Sequence, residues 1–182
     1  MMAFAETHGP VLETARLLLR PFRRGDERAL VEHLAAPEVT RQLALVPHPY
    51  RMSHARAWIT DCLAHPASPV NGCRFALERR ADGAIIGGAA ITPFAGGFEL
   101  GYWLGKDYWG EGFGSEAACG TTDFGFGVLG MARIDAFVFD GNPASVRLLE
   151  KLGFRYLGLS EDAPARHRGP VHHFVQDQPF DQ

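Results

Sequence analysis

Residues 108–117, Tyr-Trp-Gly-Glu-Gly-Phe-Gly-Ser-Glu-Ala, decide how this chain is read. Gly110, Gly112 and Gly114 bare the backbone at alternate positions, and a helix-compatible run starts at Ser115. Glycine admits positive φ and lets a ligand approach the main chain without meeting a Cβ. A loop of this kind feeding a helix start aims unpaired N–H groups and the positive end of the macrodipole at one place. Phosphate is the usual occupant of such a place. The stretch therefore predicts a bound anion, carried by a phosphate-bearing cofactor.

Two other glycine loops are excluded. A dinucleotide fingerprint read from Gly110 would need glycine or alanine where Ser115 stands. A Walker loop would need Gly-Lys-Ser/Thr at its end, and no lysine is near. Working outward, Phe98–Leu104 (FELGYWL) is aromatic-rich and reads as a strand, so the context is strand, short loop, helix. Arg133–Phe139 (RIDAFVF) reads as the strand after the helix, which implies a parallel βαβ unit. Asn142 as N-cap and Pro143 at the first helical position open a last helix that Gly153 closes.

Upstream, Arg16–Pro21 reads as a strand and Asp26 as the cap of a helix over Glu27–Ala35 that turns Leu30, Val31 and Leu34 to one side. Pro37–Met52 is irregular. Ser53 reads as the cap of a helix in which Ala55, Trp58, Ile59, Cys62 and Leu63 form an apolar stripe. Cys73–Arg80 and Ala84–Thr92 form a hairpin through Ala81-Asp82-Gly83, and Ala95-Gly96-Gly97 is a second turn. In the helix after the glycine loop, Phe113, Ala117, Gly120, Phe124 and Val128 mark the expected buried side. Phe154–Leu159 and His172–Phe180 close the chain as strands around a mobile loop, Ser160–Pro170. Residues 1–13 read as a loose leader.

Trp109-x-x-Gly112-x-Gly114 resembles the Gln/Arg-x-x-Gly-x-Gly/Ala signature of GNAT acyltransferases, with tryptophan at the polar first position. The form Tyr-Trp-Gly-x-Gly-[Phe/Tyr]-[Gly/Ala]-[Ser/Thr]-Glu-Ala is similar to the RimJ/RimL branch, which acetylates protein N-termini. A second matching block runs from Asn142-Pro143-Ala144-Ser145 through Glu150-Lys151-Leu152-Gly153-Phe154, and the resemblance covers about Glu13 to Phe154. It implies an α/β (α+β) GNAT fold: one mixed, mostly antiparallel central sheet of about six to seven strands, splayed at the cofactor site, with about four flanking helices. It further implies acetyl-CoA as donor and an amine as acceptor.

The 182 residues suit one domain, and 46% hydrophobic with 21% charged residues is an ordinary globular composition. A net charge of −3 gives no reason to expect nucleic acid or an anionic membrane as partner. Cys62, Cys73 and Cys119 suit neither a disulfide framework nor a metal site. With no signal-peptide pattern and no apolar run of membrane-spanning length, a soluble cytoplasmic enzyme is expected.

The diphosphate is expected on main-chain N–H groups of the loop formed by Trp109, Gly110, Glu111, Gly112, Phe113, Gly114 and Ser115. The resemblance implies that the pantetheine arm runs along the edge of the Glu99–Leu104 strand, with main-chain contacts at Trp103 and Leu104. An N–H there would also face the thioester oxygen. Asn142 and Ser145 are either capping residues or, as the resemblance implies, a pantetheine contact and the group that protonates the leaving sulfur. The tyrosine that many GNAT proteins use as that acid is replaced by Leu149.

For the base, Glu99 shares a strand face with Gly101 and Trp103 and is either that base or an exposed charge at a strand start. His48, His172 and His173 are weaker alternatives. Cys119 reads as a buried inert thiol, which favours direct transfer in a ternary complex. The acceptor pocket is expected from Pro37–His54 and the C-terminal loop. The non-acidic Val46–Tyr50 run counts against a polycationic aminoglycoside. A protein N-terminus is the leading acceptor, with a small amine as the rival and a non-catalytic acyl-CoA sensor as a different class. The resemblance also admits a homodimer.

Overall fold

The computed structural model describes residues 9–44, 46–94, 96–160 and 171–178. Much of the leader, the Ser160–Pro170 loop beyond its first residue, the turn residue Ala95 and the end of the last expected strand (Pro179, Phe180) lie outside the described residues. The chain builds β1 (Leu12–Glu13), β2 (Leu17–Pro21), α1 (Glu27–Leu34), α2 (Pro37–Thr40), α3 (Met52–Ala64), β3 (Cys73–Arg79), β4 (Ile85–Phe94) and β5 (Gly97–Leu104). A 3-10 turn at Lys106–Tyr108 then leads to α4 (Phe113–Gly127), β6 (Arg133–Phe139), α5 (Pro143–Lys151), β7 (Arg155–Ser160) and β8 (Val171–Asp177).

The strands form one sheet in the order β1-β2-β3-β4-β5-β6-β8-β7. Every neighbouring pair is antiparallel except β5 and β6. The expected mixed sheet with flanking helices is present. The eighth strand is β1, which takes up the end of the stretch expected to be loose, and the added short helix α2 lies in the stretch expected to be irregular.

Helices cover both faces. On one, α4 and α5 close a core of Leu17, Leu19, Phe75, Ile91, Phe124, Ile134 and Leu149. On the other, α1, α2 and α3 pack Leu30, Leu34, Val39, Ala55 and Ile59 against Phe22 and Ala76. Strand alternation assigns the faces: Leu100, Tyr102 and Leu104 point to the α4/α5 side, and Glu99, Gly101 and Trp103 to the other.

Several expectations are corrected. Asp26 is the N-cap of α1 as expected, but its side chain makes no capping bond, because its carboxylate is taken by the Arg20 guanidinium at 2.8 and 2.9 Å, both side chains being buried. Arg51, not Ser53, is the N-cap of α3, and its N–H donates to His54 Nδ1 at 3.1 Å. Trp58, Leu63 and Val128 are exposed, since their helices offer only a narrow stripe to the sheet. Cys119 is exposed rather than buried, its Sγ lying 3.6 Å from Asp123 Oδ2. Partial desolvation of the thiol and the Asp123 charge both push it up.

Candidate active site

β5 and β6 are paired only at Glu99↔Asp135 and Leu100↔Ala136, although both strands run on to Leu104 and Phe139. Past these two pairs the strands separate, and the sheet opens into a cavity of about 570 Å³. This volume lies in the usual range for ligand sites, roughly 300–1,000 Å³. Glu99–Leu104 line one side, Ala136–Phe139 the other, and the start of α5 contributes Asn142, Ala144 and Ser145. Trp109, Gly110, Gly112, Gly114 and Ser115 border it from the glycine loop.

The ladder also fixes which main-chain groups face the gap. Gly105 N–H donates to the Ile86 carbonyl at 2.9 Å, one step beyond the Gly87↔Leu104 pair that ends the β4–β5 register. Hydrogen-bonded pairs alternate along an antiparallel ladder. Trp103 and Gly101 therefore bond toward β4, whereas Tyr102 and Leu104 turn their main-chain groups into the opening. Of the two main-chain contacts expected on this strand, Leu104 faces the gap and Trp103 does not. The Leu104 carbonyl accepts the Trp109 indole N–H at 3.0 Å, so Trp109 ties the glycine loop to the strand end.

In that loop Gly110 and Gly112 have φ of 79° and 84°, a left-handed conformation that costs other residues about 1–2 kcal/mol. Gly112 is the N-cap of α4, which starts at Phe113, two residues earlier than expected. The first intrahelical bond is Glu116 N–H to the Gly112 carbonyl at 3.1 Å. The N–H groups of Phe113, Gly114 and Ser115 precede it and have no carbonyl four residues back within the helix. Gly114 serves close packing instead: a Cβ there would sit 3.2 Å from Leu148 Cδ1. Of the loop residues expected to bind, Glu111 and Phe113 do not line the cavity with their side chains; Phe113 is buried in the core.

Arg16 and Glu116, which sequence reasoning missed, hold this loop from behind. Glu116 accepts from Thr14 Oγ1 (2.5 Å), Arg16 N (2.6 Å) and Arg16 Nε (2.8 Å), and Arg16 Nη1 donates to the Glu111 carbonyl at 2.9 Å. Burial alone would raise the Glu116 carboxyl, but the Thr14 and Arg16 hydrogen bonds outweigh it and hold the group below its ordinary range.

Glu99 is 7% exposed and lines the cavity, so it is not a solvated charge at a strand start. The histidines are elsewhere: His172 meets Tyr156 Oη (3.1 Å) and Asp140 (3.4 Å), His173 meets Asp135 (2.7 Å), and neither these nor His48 lines the cavity. Asn142 Oδ1 accepts from Ser145 N–H at 3.1 Å, a capping bond. Ser145 Oγ lies 3.0 Å from Tyr102 Oη. Leu149, 1% exposed, fills its position with core packing. From the expected acceptor segment, Val39, Gln42, Leu43 and Ala44 reach the cavity wall. Arg147 and Lys151 are further lining residues that the sequence did not single out. No helix among the described residues is long and apolar enough to cross a membrane.

A sheet opened at its one parallel pair, with a helix N-terminus at the mouth, has the architecture of acyltransferases that grip a nucleotide thioester. The chain belongs to the GNAT acetyltransferase family: the Acetyltransferase (GNAT) domain matches residues 16–155. The uncharacterized N-acetyltransferase YoaA of Bacillus subtilis is 35% identical over 153 residues, covering 82% of this chain and 85% of its own. A GNAT-family acetyltransferase from Bacillus anthracis superposes with a TM-score of 0.79 at 21% identity, over 92% of this chain and 98% of that one. Spermidine N-acetyltransferase from Vibrio cholerae, solved with CoA and spermine, superposes with a TM-score of 0.73 at 20% identity, over 91% and 97%. The protein is an acetyl-CoA-dependent acyltransferase. Its cavity, its main-chain edge at Tyr102 and Leu104 and its unpaired α4 N–H groups fit such a donor.

Proposed function

We propose that this protein is a single-domain N-acetyltransferase of the RimJ/RimL type that acts on the α-amino group of a protein N-terminus. The observation that carries this reading is the charge pattern of the cavity. Among its described lining residues Glu99 is the one carboxylate, and Val39, Leu43 and Ala44 supply apolar wall. A single carboxylate suits an acceptor with one ammonium group; a polyamine would leave its further charges without partners. An α-amine has a pKa near 8, against about 10.4 for an alkylamine, so deprotonating it costs about 3 kcal/mol less. One carboxylate acting through water is adequate for that task.

Acetyl-CoA supplies the acetyl group as an activated thioester. The N–H groups of Phe113, Gly114 and Ser115, with Gly110 and Gly112 clearing space, hold the diphosphate, and exposed Arg147 and Lys151 add positive charge at the same mouth. The gap-facing main chain of Tyr102 and Leu104 orients the pantetheine amides. Trp103 contributes its side chain, packed against Gly88 and Phe22, rather than main-chain bonds. Asn142 fixes the first turn of α5 and thereby Ser145. Glu99 takes the proton from the acceptor nitrogen, and Ser145 faces the sulfur. No cysteine is among the described lining residues, which supports direct transfer without an acyl-enzyme.

The test offers acetyl-CoA with N-terminal peptides, with free amino acids and with spermidine, and reads acetylated products by mass spectrometry. Acetylated peptide termini are expected. Turnover of spermidine alone would overturn the acceptor assignment and leave the donor assignment standing.

A further inference from the structure

We propose that Tyr102 is a positioning residue that directs the Ser145 hydroxyl proton into the cavity, toward the place of the thioester sulfur; this rests on the donor reading above. The two hydroxyls are 3.0 Å apart, and both residues line the cavity. They come from opposite walls: Tyr102 from the part of β5 that has parted from β6, Ser145 from the first turn of α5.

A simple count of protons leads to the assignment. Two hydroxyl groups joined by one hydrogen bond own two protons and use one between them. The other must leave the pair. A phenol is a stronger acid than an alkyl alcohol and hence the better donor, so the shared proton is that of Tyr102. The Ser145 oxygen then accepts from Tyr102, and its own proton is free to point at the cavity. Burial pushes the Tyr102 phenol up to about 12 despite its hydrogen bond with Ser145, so the ring stays protonated at any physiological pH. Ser145 is fixed from the other side as well, because its N–H is held by Asn142 Oδ1 at 3.1 Å. Hydrogen bonds in such a chain polarise one another, so the outer donor is strengthened by the inner one.

The chemistry balances without further reagents. In the transfer a carbon–nitrogen bond forms and the carbon–sulfur bond breaks, its electron pair leaving on sulfur. Starting from the neutral amine, the nitrogen loses one proton to Glu99, which returns it to solvent, and the released thiolate takes one from solvent. The Ser145 proton is donated as a hydrogen bond to the developing charge and stays on Ser145. This arrangement also accounts for Leu149: where the chain places a leucine in the core, a tyrosine on β5 acts from the facing wall through a serine.

The experiment measures CoA binding by calorimetry from about pH 7 to about pH 10, across an ordinary thiol's pKa of roughly 8.5. Wild type, Tyr102→Phe, Ser145→Ala and the double variant are compared, with desulfo-CoA, which lacks the thiol, as a second probe. Tyr102→Phe removes one oxygen and keeps the ring in place, and Ser145→Ala reports on the same bond from its other end. A charge-assisted hydrogen bond makes the expected loss about tenfold. Each single variant should bind CoA about tenfold more weakly at the alkaline end, with no loss at the neutral end or toward desulfo-CoA. The double variant should match Ser145→Ala. Turnover of Tyr102→Phe should fall about tenfold with KM for acetyl-CoA unchanged. An unchanged pH profile for Tyr102→Phe beside an altered one for Ser145→Ala would overturn the pairing. Additive losses in the double variant would do the same. Wild-type protein that fails to bind CoA would overturn the donor reading itself.

Discussion

Replacing Gly112 by aspartate tests the anion cradle most directly. Gly112 is the N-cap of α4 at φ 84°, and a Cβ built there meets only the flexible end of Arg16, at 3.4 Å. Two effects must be separated. Any side chain at this φ strains the backbone by roughly 1–2 kcal/mol, and Gly112→Ala carries that strain alone. Aspartate adds a negative charge beside the diphosphate. At a separation of about 6 Å and an effective dielectric near 20, each pair of like charges repels by about 3 kcal/mol. Solvent and counterions at this open loop remove a good part of the sum over two phosphates, leaving about 3 kcal/mol, or about a hundredfold in affinity. Arg16 Nε and Nη1 are held by Glu116 and the Glu111 carbonyl; Nη2, which faces position 112, offsets part of the repulsion, and that part is included in the reduction to about 3 kcal/mol. The assay is the CoA dissociation constant of both variants at low and high salt, with melting curves to establish folding. Gly112→Asp should bind about a hundredfold more weakly than Gly112→Ala at low salt, with the difference shrinking as salt rises. Equal affinities for the two folded variants would refute the cradle.

Glu99→Gln should lower turnover at pH 7 by about a hundredfold, within the range for loss of a general base, while CoA affinity measured by calorimetry stays within about twofold. Partial recovery is expected near pH 8, where more of the α-amine is already neutral. Glu116→Gln removes the carboxylate that joins Thr14 and Arg16 to α4. With Arg16 half-exposed, the expected cost is about 2 kcal/mol by urea denaturation. Because the folded-state pKa of Glu116 is depressed, its stabilisation is complete above the ordinary carboxylate value of about 4.3 and lost as pH falls through the folded one, so the two proteins should converge in acid. Asp26→Ala removes two of the hydrogen bonds of the buried Arg20 guanidinium and leaves it Glu78 at 2.6 Å, so it should cost about 2–3 kcal/mol in the same denaturation assay. Thiol labelling of the native protein should modify Cys119 slowly and spare Cys62 and Cys73, whose thiols burial pushes up to about 12.

The parts of this protein legible in its sequence are those fixed within a few residues of chain. The Asp82-Gly83 turn, the strand before the glycine loop and the Asn142-Pro143 helix start each depend on local backbone chemistry, and each is present. Differences arose where packing or a side-chain partner outside the helix outcompeted a local role. Asp26 holds the N-cap position, yet Arg20 on β2 claims the carboxylate that would have capped the helix. Cys119 sits in a helix so rich in small residues that no side stands out as apolar, and packing alone turns it outward. The bonds from Arg16 to Glu116 and from Tyr102 to Ser145 span 100 and 43 residues. Alternation places Tyr102 opposite Glu99 in β5, but only the folded sheet shows that its hydroxyl reaches α5.

The location of the site follows from the connection between β5 and β6. A parallel pair needs a crossover, and α4 is that crossover, so its N-terminus must lie at the C-terminal end of β5. The helix leaving β6, α5, starts at the corresponding end of the neighbouring strand. Two helix N-termini are thereby brought to one edge of the sheet, and Gly114 lets the helices approach until a Cβ at its position would lie 3.2 Å from Leu148 Cδ1. Open α/β sheets bind ligands at such C-terminal edges because the helix starts converge there. Here the strands also part after two residue pairs, so one opening offers the helix ends to a diphosphate and the bare strand edge to an amide-bearing arm. A side chain larger than alanine at Gly114 should push α5 from α4, moving Ser145 away from Tyr102 before it touches the anion cradle. Gly114→Val should therefore lower turnover more than CoA affinity, and the reverse order, with binding lost first, would show that Gly114 serves the phosphate rather than the packing.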